Sequence, residues 1–94
     1  DRMAIGAMLA IKKKGLSMPD DIALVSFNNE PIVSVVTPGI SSVDIQSFEM
    51  GKAAAKLFIE RMHHPDDMTG VEVVLKPKLF IRESSQRSFV KKLR

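Results

Sequence analysis

The chain contains no cysteine, no tryptophan and no tyrosine. Without thiols there can be no disulfide framework, no thiolate zinc site and no cysteine nucleophile, and their absence fits a reducing compartment such as the cytoplasm. Phenylalanine is the only aromatic, at 5% of residues, which argues against a platform for stacking single-stranded bases. No apolar run approaches the roughly 20 residues needed to span a bilayer. Phosphate-cradling loops of the Gly-x-Gly-x-x-Gly or Walker type are missing too. Ser26, Ser34, Ser41 and Ser42 stand in no Gly-x-Ser-x-Gly frame, so no nucleophile is poised on a strained turn. Asp20-Asp21 and Asp66-Asp67 are sequential pairs that alternate faces, which does not set up acid–base chemistry. No catalytic residue, metal ligand or cofactor is therefore assigned, and the chain is not expected to be an enzyme.

His63 and His64 are the only histidines. Neighbours on a helix point about 100° apart, so they cannot clamp one ion as an i, i+4 pair can. A weak surface site with Asp66 and Asp67 is one reading; polar residues closing a helix is the other.

What is present suits one small soluble domain: 94 residues, 45% apolar and 27% charged. The formal net charge of +3 is scattered apart from Lys12-Lys13-Lys14 and the tail Lys91-Lys92-Leu93-Arg94, the pattern of a solvated surface rather than a nucleic-acid footprint. The opening residues fall inside a helical pattern, so the chain is expected to be a piece of a longer protein.

Asp1 as N-cap, an apolar run from Met3 to Ile11 and the Lys run before Gly15 predict a helix over 2–14. It is apolar nearly all round, so it must be covered on two sides, by a core or by a partner. It is too apolar for a DNA recognition helix. Ile22 to Phe27 reads as a buried strand of a parallel sheet, ended by Asn28-Asn29-Glu30-Pro31. Ile32 to Val36 is a second apolar stretch, closed by Pro38-Gly39. Ile40 to Ile45 alternates like a half-buried strand. Ser47 is a plausible N-cap for a helix to about His63, with Met50, Ala53, Ala54, Leu57 and Phe58 as the face that lies on a sheet. Two short strands, Val71–Leu75 and Lys78–Arg82, follow Gly70, and the last dozen residues are expected to be frayed or docked on a neighbour. The alternation is that of an α/β fold with a parallel sheet flanked by helices. Three or four short strands are few for a complete doubly wound sheet.

Five segments in register resemble one family. Asp1-Arg2-Met3-Ala4-Ile5-Gly6-Ala7 is similar to its Asn-Asp-x-Met-Ala-x-Gly-Ala segment. Gly15 to Asn29, with Met18-Pro19-Asp20-Asp21-Ile22 and Ser26-Phe27-Asn28-Asn29, is similar to Gly-Leu-x-Val-Pro-x-Asp-Ile-x-Val-Val-Gly-Phe-Asp-Asp/Asn. Thr37-Pro38-Gly39-Ile40-Ser41-Ser42-Val43 resembles Thr-Pro-x-Leu-Thr-Thr-Val. Phe48-Glu49-Met50-Gly51-Lys52-Ala53-Ala54 resembles Tyr-Glu-Met-Gly-x-x-Ala, and Leu79-Phe80-Ile81-Arg82-Glu83-Ser84-Ser85 resembles Leu-x-x-Arg-Glu-Ser-Thr. The family is that of LacI/GalR-type transcriptional regulators, and the likeness is to the C-terminal part of the effector-binding core.

The resemblance implies a partial periplasmic-binding-protein-like core of type I, with 1–45 and 71–94 mostly in the C-terminal lobe and 46–70 in the N-terminal lobe. It implies a small-molecule effector, sugar or nucleobase-like, in the cleft between the lobes. It implies a homodimer, contact with operator DNA only through a separate headpiece, no membrane association and a cytoplasmic setting. The family's ligand-binding Asp aligns with Asn28, whose donor and acceptor differ from an acceptor-only carboxylate; a turn residue ending the strand is the alternative. The family's ligand Gln aligns with Ile45, one residue short of Gln46. Phe27-Asn28-Asn29 and Val43 to Gln46 also fall at carboxyl ends of parallel strands, where ligands bind in open α/β sheets. The implied dimer interface comprises Ile5, Met8, Leu9, Val33, Val35 and Val36, residues that could equally fill an intramolecular core. A periplasmic sugar-binding protein of the same fold is the rival reading, and a fragment of an α/β enzyme a third.

Overall fold

A computed structural model describes residues 1–87. The basic tail and Phe89-Val90 lie outside the described residues. The first helix, α1, runs Arg2–Lys13 and buries Ala4, Met8 and Ile11, a 4–3 spacing that puts all three on one face. Lys12 and Lys13 occupy its last turn, favourable at the negative end of the dipole, and Gly15 then turns the chain with φ +72, a conformation glycine adopts without steric cost. Lys12 Nζ donates to the Thr37 carbonyl at 2.7 Å, tying the helix end to a neighbouring loop.

Strand β1 (Val25–Phe27) pairs in parallel with β2 (Ser41–Asp44), register Val25 with Ser41 and Phe27 with Val43. The link between them carries a one-turn helix, α2 (Ile32–Val35), so the apolar stretch after Pro31 is helical. Strand β3 (Lys78–Phe80) joins β2 antiparallel, Ser42 opposite Phe80, giving the order β1-β2-β3. The sheet is mixed, parallel at one edge and antiparallel at the other. α1 and α2 cover it through Ala4, Met8 and Val33, which meet Ile40 just ahead of β2, with Ile5, Met18, Leu24 and Val36 packed around them. The expected burial of β1 on both faces is not found: Ser26 is buried while Val25 and Phe27 are exposed, because α1 covers one side only.

A short 3-10 turn, η1 (Glu83–Ser85), locks this unit. Ser84 Oγ donates to the Leu24 carbonyl at 2.6 Å and accepts from the Ser41 N–H at 2.8 Å. Arg82 Nη1 donates to the Ile40 carbonyl at 2.8 Å, and its guanidinium lies 5.7 Å from the Phe80 ring centroid, within cation–π range. Ser26, Ser41, Ser42 and Ser84 are all buried, and every one of their hydroxyls is hydrogen-bonded.

Helix α3 spans Ser47–His63. Ser47 is its first helical residue rather than its N-cap, which is Gln46. Instead of lying on the sheet, α3 contributes no buried residue; Met50, Ala53, Ala54 and Leu57 face Val73 and Leu75 across a shallow groove. The 71–75 segment joins no ladder, so the first of the two expected C-terminal strands is not formed. The radius of gyration, 19.6 Å, exceeds the about 12 Å of a compact domain this long. The sheet unit and the α3 unit stand apart, joined by two crossovers at 44–47 and 75–78. No helix among the described residues is long and apolar enough to cross a membrane.

Candidate binding cleft

The carboxyl ends of β1 and β2 open into a cavity of about 330 Å³ whose wall includes Asn28, Asn29, Glu30, Asp44, Gln46 and Phe80. Asn28 extends the parallel ladder by donating its N–H to the Val43 carbonyl at 2.8 Å. Asn28 then turns left-handed with φ 91, Asn29 with φ 52 and, across the cavity, Gln46 with φ 57. These are the only non-glycine residues of positive φ among the described residues, and all three line the same cavity. Each such turn costs about 1 kcal/mol or more away from asparagine and glycine, and residues held this way concentrate at binding sites.

Side-chain contacts fix the turns. The Asn29 N–H donates to Ser42 Oγ at 2.9 Å, while the Asn29 Oδ1 is buried and accepts no hydrogen bond from the described residues. Asp44 Oδ1 accepts the Gln46 N–H at 2.7 Å. The Gln46 carbonyl accepts from the Met50 N–H at 2.9 Å, opening α3, and its Nε2 donates to the Lys76 carbonyl. Asp1 does not cap α1 with its side chain. Its carboxylate accepts instead from Ser26 Oγ at 2.7 Å and from the Glu30 N–H at 2.6 Å, anchoring the turn that carries the asparagines. A second opening of about 550 Å³ adjoins this turn and shares Asn28 and Glu30 with the first.

Of the three residues singled out for the effector, Asn28 and Gln46 meet in one cavity, and Ile45 lines neither opening. Strand β2 ends at Asp44, and the left-handed turn at Gln46, outside any strand period, brings Gln46 rather than Ile45 to the cavity wall. Glu30, Lys78 and Phe80 also line the cavity and were not singled out from sequence. Glu30 follows the turn and the other two arrive on antiparallel β3, so no local motif announces them.

The expected interface set divides as well. Met8 and Val33 are 3% and 0% exposed and belong to the core under α1, so neither is available to a partner. The same apolar residue type serves core and interface, and only the facing element decides. Ile5 and Val36 are half-buried against that core, whereas Leu9 and Val35 are 62% and 72% exposed. His63 ends α3 and His64 caps it. Among the described residues no three His, Cys, Asp or Glu side chains are grouped to hold a metal ion.

A mixed sheet flanked by helices, with a polar cleft at the carboxyl ends of its parallel strands, makes up an α/β core. The chain belongs to the family of periplasmic binding protein-like domains, whose profile matches residues 1–85, and the likeness to LacI/GalR-type regulators drawn from the five motifs holds. It is 42% identical over 66 residues to the lactose operon repressor of Rhizobium radiobacter, covering 70% of this chain and 58% of that protein. The crystal structure of the transcription regulator CcpA of Lactococcus lactis superposes with a TM-score of 0.79 at 28% identity, over 92% of this chain and 31% of that one. A LacI family regulator from Arthrobacter sp. FB24, crystallised in complex with lactose, gives a TM-score of 0.78 at 27% identity, over 92% of this chain and 32% of that one. The chain thus spans less than two thirds of each.

Proposed function

We propose that this chain is the effector-sensing and self-association part of a LacI-type transcriptional regulator, coupling the binding of a small molecule, a sugar, to operator binding. The observation that carries the reading is the convergence of Asn28, Asn29 and Gln46, three left-handed residues, on one cavity. A crystallised relative of the same fold carries lactose, and the relatives are repressors and regulators, which favours this reading over a transport component. Asn28 would offer the effector an amide donor and acceptor, and the Gln46 side-chain oxygen a further acceptor. Residues 46–70 would belong to the N-terminal lobe and the sheet unit to the C-terminal lobe, with the effector biasing the angle between them. Leu9 and Val35 would meet a second copy, Ile5 and Val36 flanking them. DNA contacts would come from a separate headpiece, and the cleft has no nucleophile paired with a base, so no catalytic role is assigned.

Titration of the chain with lactose, followed by nuclear magnetic resonance, tests this. With only part of a cleft, binding should be weak, and shifts should centre on the side-chain amides of Asn28, Asn29 and Gln46. Shifts centred elsewhere, or none with lactose, glucose or ribose, would remove the assignment. The chain alone should leave no sequence-specific footprint on DNA.

A further inference from the structure

The two crossovers between the sheet unit and the α3 unit run side by side, since Asp44 at the end of β2 is registered with Lys78 at the start of β3. One side chain bridges them. Gln46 Nε2 donates to the Lys76 carbonyl, thirty residues away along the chain, while its own N–H is held by Asp44 Oδ1 and its carbonyl starts α3. Gln46 holds φ 57, which an unbranched side chain without an Asn-like local hydrogen bond seldom adopts. Because α3 buries nothing against the sheet, packing does not set the angle between the two units. The crossovers are what is left to set it.

We infer that Gln46 is a positioning residue, a latch whose amide N–H fastens the two crossovers together and fixes the angle between the α3 unit and the sheet. This goes beyond a contact with effector: the amide nitrogen is spent on the chain, and the latch acts with the cleft empty. A ligand reaching the Gln46 oxygen would then touch the bond that sets the angle. Loss of the donor should free the angle without unfolding either unit, because Gln46 lies outside the core cluster of Ala4, Met8, Val33 and Ile40.

The chain has no cysteine, so spin labels can be placed cleanly at Lys13→Cys, in the last turn of α1, and Lys56→Cys, on the exposed face of α3. Double electron–electron resonance then reads the distance between the units without ligand. In the otherwise unaltered chain the distribution should be narrow. Gln46→Glu keeps the length and removes the donor, and should broaden it at least two-fold. Gln46→Asn favours the left-handed backbone but is one methylene too short, and should broaden it equally. A merely local role for the left-handed turn predicts that Gln46→Asn stays narrow. Unchanged width in either variant, with helix content retained by circular dichroism, overturns the latch. So does fast solvent exchange of the Gln46 side-chain amide in the unsubstituted protein. Because no sugar is present, failure here is separate from failure of the effector assignment.

Discussion

Ser84→Ala should destabilise the sheet unit by about 2–3 kcal/mol, more than its small change in volume suggests. Ser84 is 0% exposed and its hydroxyl serves two strands, accepting from the Ser41 N–H at 2.8 Å and donating to the Leu24 carbonyl at 2.6 Å. Alanine leaves a buried donor and a buried acceptor without partners. A buried group so stranded costs about 1–3 kcal/mol, and the Leu24 carbonyl has a second lone pair with which to recover part of the loss. The backbone bonds from Leu24 N–H to the Ser84 carbonyl at 3.0 Å and from Ser84 N–H to Gly39 at 2.9 Å remain, which sets the ceiling. Urea denaturation followed by far-ultraviolet circular dichroism measures the change, with Ser34→Ala as the control; the Ser34 hydroxyl bonds only the exposed Pro31 carbonyl at 2.8 Å, so about 0.5 kcal/mol or less is expected. Exchange of the Ser41 amide should quicken about thirty-fold at a 2 kcal/mol loss. A change below about 0.5 kcal/mol in Ser84→Ala, with Ser41 exchange unaltered, would refute the clamp.

Other outcomes follow from the same geometry. Leu9→Glu with Val35→Glu should weaken self-association in sedimentation at least ten-fold with little change in stability, whereas Met8→Ala should cost about 2–5 kcal/mol because its side chain is core; the reverse pattern would refute the division between them. Asn28→Asp replaces a donor with an acceptor, and should change the ranking of sugars in a binding panel rather than abolish binding uniformly. The Ser17 N–H at 2.7 Å and the Ser17 hydroxyl at 3.0 Å hold the Asp21 carboxyl below its ordinary value. The stabilisation this gives is therefore present above the unfolded value near ~3.9 and is lost as the pH falls through the depressed one; an Asp21 midpoint at or above ~3.9 by carbon-13 titration would contradict it.

The helices were the most legible elements. In α1 the apolar spacing, the Lys run and Gly15 all agree, and α3 keeps the bounds that its 3.6-residue period marks. Strands were less so, because a strand exists only where a partner is in reach. Val71–Leu75 has the composition of a strand and no ladder, and Ile22–Leu24 stays outside β1, which begins at Val25. Pro31 and the Ser34 hydroxyl on its carbonyl turned the Ile32–Val35 stretch helical against its β-branched composition. At the cleft, Asn28 and Gln46 could be placed from the rule about strand ends, while Ile45 missed the cavity because the chain leaves the strand at Asp44 and turns left-handed at Gln46. Asp1 is the N-cap of α1 as its position suggested, but its carboxylate is spent on Ser26 and Glu30, 25 and 29 residues on.

The Ser84 clamp also sets a clock. Its two partners precede it by 43 and 60 residues, so at a synthesis rate of about 5–20 residues per second Ser41 exists for roughly 2 to 9 s before the group that satisfies its N–H is made. The parallel pair of β1 and β2 therefore cannot be closed by its own chain until the Arg-Glu-Ser-Ser motif has been made, which makes this motif the last piece in the assembly of the sheet unit.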